Sequence, residues 1–220
     1  MQRVTVDDVP SWAYRGLELL VVGPAVVVAV FAFGLLTVLD GPMAGSPFSL
    51  GVLGVGYVGV LALGFFGRLL LPPLVYLDSR RLSDQEIDWE PSSILYGIFG
   101  FVFGWLVVAE YLYKRHTYVV DWADSEAWWY CALVGAAGLA VGVASFAVGL
   151  FGTLPVIYLG LPLFAIGLYR DATYVRLNSE WHPNPINHFL AALFSGLLVV
   201  LWVPYFGYYL YKRHTHLGLF

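Results

Sequence analysis

Five histidines, at positions 116, 182, 188, 214 and 216, are the side chains most able to hold a haem or a metal ion. A membrane haem needs histidines from facing helices, and a closed zinc site needs three or four ligands. Four of the five fall in connectors or tails, and only His188 enters a helix, in its first turn. His214-Thr-His216 makes a weak surface pair and no closed site. No cofactor and no metal are therefore expected. The single cysteine, Cys131, excludes an internal disulfide and reads as a small apolar filler. A phosphate-cradling Gly-x-x-x-x-Gly-Lys, a His-Glu-x-x-His and a Gly-x-Ser-x-Gly are all missing. No apolar run carries two carboxylates at proton-relay spacing. The expectation is that the chain is not an enzyme.

The cationic chemistry is more distinctive, because it occurs twice. Tyr111-Leu-Tyr-Lys-Arg-His-Thr117 recurs unchanged as Tyr209-Leu-Tyr-Lys-Arg-His-Thr215. The context recurs too: Trp89-Glu-Pro91 corresponds to Trp181-His-Pro183, and Asp78 to Asp171. Each copy reads as apolar hairpin, Asp, polar connector, Trp-x-Pro, helix, basic heptapeptide. Two readings of the heptapeptide compete. In the first, Tyr111, Tyr113, Tyr209 and Tyr211, with Trp89 and Trp181, are interfacial anchors, while Lys114, Arg115, His116, Lys212, Arg213 and His214 meet anionic lipid headgroups. In the second, the basic triplets dock a membrane protein partner. Position favours the lipid reading. Glu110 lies four residues before Lys114, a favourable pairing distance on a helix.

One further charge stands apart. Arg68 falls inside an apolar run, where an ionisable residue is a functional suspect. Snorkelling toward acids 84–88 is the structural alternative, and it is preferred.

Behind these residues is a chain built for lipid. Of 220 residues, 60% are hydrophobic and only 12% charged, with a mean hydropathy of +0.75. A soluble domain is roughly a quarter charged. The net charge of -4 leaves the basic residues too few and too interfacial for nucleic acid. Acids gather in connectors 6–9, 84–90 and 121–126, while lysine is nearly absent. That balance suggests a GC-rich genome and a salty habitat. Asp7 and Asp8 occupy the place of a basic signal-peptide region, so the first apolar run is read as a retained transmembrane helix.

The apolar runs are 17–39, 48–77, 94–113, 128–169 and 186–211. About 20 helical residues cross a ~30 Å core, so 128–169 is twice too long for one crossing. Gly149, Gly152, Thr153 and Pro155 mark a reversal inside it. The expected fold is all-α, a polytopic transmembrane bundle of about six spans in a 3+3 tandem repeat. Three spans per copy would invert the second copy. The expected layout is a tail 1–16, repeats 17–117 and 128–217 around an acidic connector 118–127, and a tail 218–220. Ser83-Asp-Gln-Glu86 suggests a short connector helix, and Asn184-Pro185 a helix start. The small-residue rows Ala132/136/140/144, Gly138/142, Gly51/59/67 and Gly100/104 read as helix-packing faces. Charge favours a cytoplasmic N-terminus, six bases against four, for either five or six spans.

Asp171, Arg176, Trp181-x-Pro183-Asn184-Pro185 and Tyr209-Leu-Tyr-Lys-Arg-His214 resemble the pattern of small multi-pass membrane proteins of haloarchaea. The resemblance covers residues 161–218 well and 71–117 less closely, since Glu90 precedes Pro91 and no Asn-Pro follows. It implies a plasma-membrane location and a salt-adapted surface, and it brings no catalytic residues. The function expected is a structural or partner-binding membrane component. The alternatives are a small transporter or channel on an inverted repeat, and a membrane redox or lipid-modifying enzyme. Convergence of His182, His188 and Asp171 would favour the enzyme.

Overall fold

The computed structural model describes residues 4–5, 11–40, 46–85, 87–120, 125–149, 154–198 and 201–218. Among these residues the protein is helical, apart from a two-residue parallel pairing of β1 (Val4–Thr5) with β2 (Val119–Val120). Eight helices follow in order: α1 (Trp12–Asp40), α2 (Pro47–Ser83), α3 (Ser93–Phe103), α4 (Trp105–Tyr118), α5 (Ala127–Ala147), α6 (Leu154–Asn178), α7 (Pro185–Leu197) and α8 (Trp202–His216). Three of them, α1, α2 and α5, contain stretches long and apolar enough to cross a membrane. Little of the apolar length of α1 and of α2 is buried by protein, so the rest of these faces suits lipid.

The chain divides into two compact units, Met1–Pro24 with Leu61–Trp122, and Ala25–Val60 with Ala123–Phe220. In the first, Ser11 caps α1 through its hydroxyl, which accepts the Tyr14 N–H at 3.1 Å. Gly16 of α1 lies against Leu74 of α2. Gly97 and Gly100 of α3 face Tyr76 and Pro72, so α3 runs antiparallel to α2. Trp105, at the start of α4, lies on Gly67.

In the second unit, Gly34 meets Leu53 and Gly56 meets Phe31, an antiparallel seam between the ends of α1 and α2. Gly135, Gly160 and Gly167 bring α5 and α6 into backbone contact; a Cβ on Gly135 would strike the Phe164 backbone. The expected reversal in 128–169 is therefore a helix pair, although its turn at 150–153 lies outside the described residues. The seam differs from the expected alanine row. Ala132, Gly135, Ala136, Leu139 and Gly142 are buried, whereas Ala140 and Ala144 are exposed. Gly51 is likewise exposed, and Gly56 takes the close contact in its place.

Three further expectations are corrected. Neither 94–113 nor 186–211 is one helix. Gly104 has φ +53°, a left-handed value, and divides α3 from α4. In a straight helix Tyr96 and Glu110 would stand about 21 Å apart along the axis. Here the Tyr96 hydroxyl donates to Glu110 at 2.9 Å, and the Tyr96 and Tyr111 rings lie 5.0 Å apart. The two half-helices fold back on each other. The same holds for α7 and α8, where His188 Nδ1 and the Tyr205 hydroxyl are 2.8 Å apart and Trp181 stacks on His216. Gly100 and Gly104 thus serve a close approach to Pro72 and a reversal, not one shared packing face. The connector helix expected from Ser83 is also absent from the described residues. Ser83 ends α2, and its hydroxyl reaches the Ser79 and Pro91 carbonyls. Asn184-Pro185 does start α7, through backbone bonds to the Asn184 carbonyl.

Candidate functional site: two buried Asp–Tyr–Arg latches

The duplicated heptapeptide divides by helical geometry. Residues four apart share a face, so Tyr111 and Arg115 turn inward on α4, as Tyr209 and Arg213 do on α8. All four are fully buried. Tyr113, Lys114 and Thr117 point outward, as do Tyr211, His214 and Thr215. Arg115 and Arg213 therefore do not meet lipid headgroups as expected. Each turns back to a carboxylate in the last two turns of the preceding long helix, Asp78 of α2 or Asp171 of α6.

In the first unit, Asp78 Oδ2 accepts the Tyr111 hydroxyl at 2.6 Å and Arg115 Nε at 2.8 Å. In the second, Asp171 Oδ2 accepts the Tyr209 hydroxyl at 2.8 Å, and Arg213 Nε reaches Oδ2 and Oδ1 at 3.1 and 3.3 Å. Both carboxylates have no exposed surface. An aromatic from the first turn of α1 or of α5 covers each guanidinium. Tyr14 lies 3.6 Å from Arg115 Cζ, and Trp129 lies 4.5 Å from Arg213 Cζ. Cation–π contact replaces part of the lost hydration. A buried ion pair gains little net stability, because each ion loses several kcal/mol of solvation, on the order of what pairing returns. Its main effect is geometric: the end of α4 must return to the end of α2, and α8 to α6.

The Trp-x-Pro connectors close the outer side. Trp89 packs on Tyr96, Tyr111 and Tyr118, and Trp181 on His188, Tyr209 and His216. Both tryptophans are half-buried against the latch tyrosines instead of lying free at an interface. The correspondence is residue for residue. Tyr96 and His188 each follow their Trp by seven, and Tyr118 and His216 each follow the latch Arg by three.

The remaining site residues are scattered. Lys114 pairs with Glu110 at 2.7 Å, and both are half-exposed. His116 is buried edge-on to Tyr14, 6.0 Å between centroids. Lys212 is half-buried. Arg68 is exposed on α2, and no carboxylate among the described residues pairs with it. His188 approaches the Asp171 latch through Tyr209, 4.9 Å away, but His182 is exposed at the Arg176 carbonyl. The three do not converge. Among the described residues no group of three His, Cys, Asp or Glu could hold a metal.

Known proteins add nothing to this geometry: the chain matches no family model, no curated protein and no solved structure.

The latches were within reach of the sequence. Opposite charges at matched positions of two copies, in a chain with so few charges, are a pairing signal. Tyr14 and Trp129 were not, since no spacing links an opening helix to the distant heptapeptide.

Proposed function

We propose that the chain is a multi-pass membrane protein made of two copies of one unit, each with two full crossings and one re-entrant helical hairpin. Its role is structural or partner-binding: it holds two half-membrane hairpins at fixed depth in the cell membrane. The observation that carries this reading is the buried Asp–Tyr–Arg latch, which ties the end of each hairpin to the end of the helix before it. The depth fits. Eleven residues of α3 rise about 16 Å, close to half of a ~30 Å hydrocarbon core.

An even number of crossings returns the chain to the side on which each copy began. Beside α1, α2 and α5, α6 is then the fourth crossing, since its glycines pack antiparallel along α5. Charge supports this count better than the six-to-four division expected for five or six spans. With four crossings every described Lys and Arg except Arg68 belongs to one side, near or beyond the latched helix ends. The segments joining α1 to α2 and α5 to α6, residues 41–46 and 148–153, contain no Lys, Arg, Asp or Glu. The positive-inside rule makes the latched side cytoplasmic, with the N-terminus there. Glu90, Asp88 and Glu180 are exposed on it, in keeping with the salt-adapted surface that the haloarchaeal resemblance implies.

A small channel or transporter is the second reading, favoured by the broken helices, since re-entrant backbone at membrane depth often lines a pathway. Both latch carboxylates already accept the bonds of their own Tyr and Arg, which favours the structural reading. A redox or lipid-modifying enzyme has less support, because His182 stands away from His188 and Asp171. The test is side-specific labelling of cysteines at Glu90 and Thr117, which flank the first hairpin. Reaction from the same side supports the re-entrant reading, and reaction from opposite sides overturns it.

A further inference from the structure

We propose that the α3–α4 hairpin holds one anionic phospholipid, with a hydrocarbon tail in the groove between its arms and the phosphate at Lys114. The proposal rests on the re-entrant membrane reading. The groove has a volume of about 490 Å³, and its walls are Leu95, Tyr96, Phe99, Phe103, Leu106 and Val107. Phe103 and Leu106 close it at the Gly104 reversal, while Ser92 and Glu110 stand at its mouth. Its length follows that of α3, about 16 Å, the depth of one leaflet. A cleft that is apolar along its length and charged only at the mouth matches an amphiphile, not a protein helix.

The mouth supplies the headgroup chemistry. Glu110 accepts the Tyr96 hydroxyl at 2.9 Å and pairs with Lys114 Nζ at 2.7 Å. A lysine ammonium has three donors. With one directed to Glu110 and the side chain 45% exposed, the others can reach a phosphate at the membrane surface. The surroundings also demand hydrocarbon. Ile94, Ile98, Phe101 and Val102 are all more than half exposed, and Gly100 is the one buried residue of α3. The second hairpin differs: Ile186, Phe189 and Ala192 of α7 are buried.

The test is native mass spectrometry of the whole protein extracted from phosphatidylglycerol-containing membranes. Wild type should retain one phosphatidylglycerol. Val107→Trp fills the groove and should lower that occupancy at least tenfold at unchanged helicity. Lys114→Gln should weaken retention about fivefold, as expected for one cation near a lipid surface. Phe194→Trp, on the exposed face of α7, should leave retention unchanged. Equal lipid retention by Val107→Trp and wild type would overturn the proposal, as would loss of a co-purifying protein instead of lipid. Glu90 and Thr117 labelling on the same membranes separates the two failures. Same-side reaction with unchanged lipid sinks the lipid site alone, and opposite-side reaction sinks the hairpin and the site together.

Discussion

The two latches share an identical heptapeptide yet close differently. In the second, Arg213 reaches both oxygens of Asp171, and it also bonds Glu126 at 3.0 Å and the Gly218 carbonyl. In the first, Tyr111 and Arg115 Nε converge on one oxygen of Asp78, and the buried Oδ1 has no hydrogen-bond partner among the described residues. The hairpins diverge in the same sense. α7 is anchored on α6 through Tyr169 and Phe189, whereas α3 touches α2 mainly through its glycines. The heptapeptide therefore fixes where each hairpin ends. Residues outside it decide how tightly the hairpin is held.

The largest effect should come from breaking a latch. Arg213→Ala leaves Asp171 buried without its cation, at a cost of ~3–5 kcal/mol. Thermal unfolding in detergent or lipid should show a corresponding loss. A smaller effect sharpens the comparison. Tyr209→Phe and Tyr111→Phe each remove a hydroxyl bond to a carboxylate, worth about 1.5–3 kcal/mol. The loss should be greater at Tyr111, whose bond is shorter at 2.6 Å against 2.8 Å and whose carboxylate has an oxygen already unsatisfied. A larger loss at Tyr209 would invert this ordering.

Gly104→Ala comes next. Its φ of +53° should cost ~1–3 kcal/mol in an alanine, although a Cβ there meets nothing within 4 Å. The penalty is conformational, and with ψ −117° the residue lies outside the left-handed helical region that Asn tolerates, so Gly104→Asn should recover little of it. The smallest effect belongs to the half-exposed Glu110–Lys114 pair. Lys114→Gln should change stability by only ~0.3–0.5 kcal/mol, and less in high salt.

Much of this architecture could be read from the chain. Composition gave the helical, lipid-facing class, and Gly149–Pro155 located the separation of α5 from α6. The Glu110–Lys114 pair followed from i,i+4 spacing. The duplication itself aligns Asp78 with Asp171. The hairpins were not legible, because hydropathy measures apolar length and not direction. A 20-residue apolar run that crosses once and one that goes halfway and returns have the same composition. The deciding signal in the first copy was Gly104, which resembled a packing glycine. The inward turn of Arg115 and Arg213 is hidden in the sequence for a related reason. Basic residues next to tyrosines at the end of an apolar run match an interfacial belt, and only the fold shows that helical phase turns the arginines inward.

The central claim is that each copy ends on the side where it starts. It is tested most directly by single cysteines in a Cys131→Ala background, at Glu90, Thr117, Glu180 and Thr215, with Val148→Cys as the opposite-side reference. All five positions are exposed. Sealed vesicles of known orientation would be treated with a membrane-impermeant maleimide. The account expects the first four to react from the cytoplasmic side and Val148→Cys only from the other. Reaction of Thr117 and Thr215 from opposite sides, or of Glu90 and Thr117 from opposite sides, would contradict it.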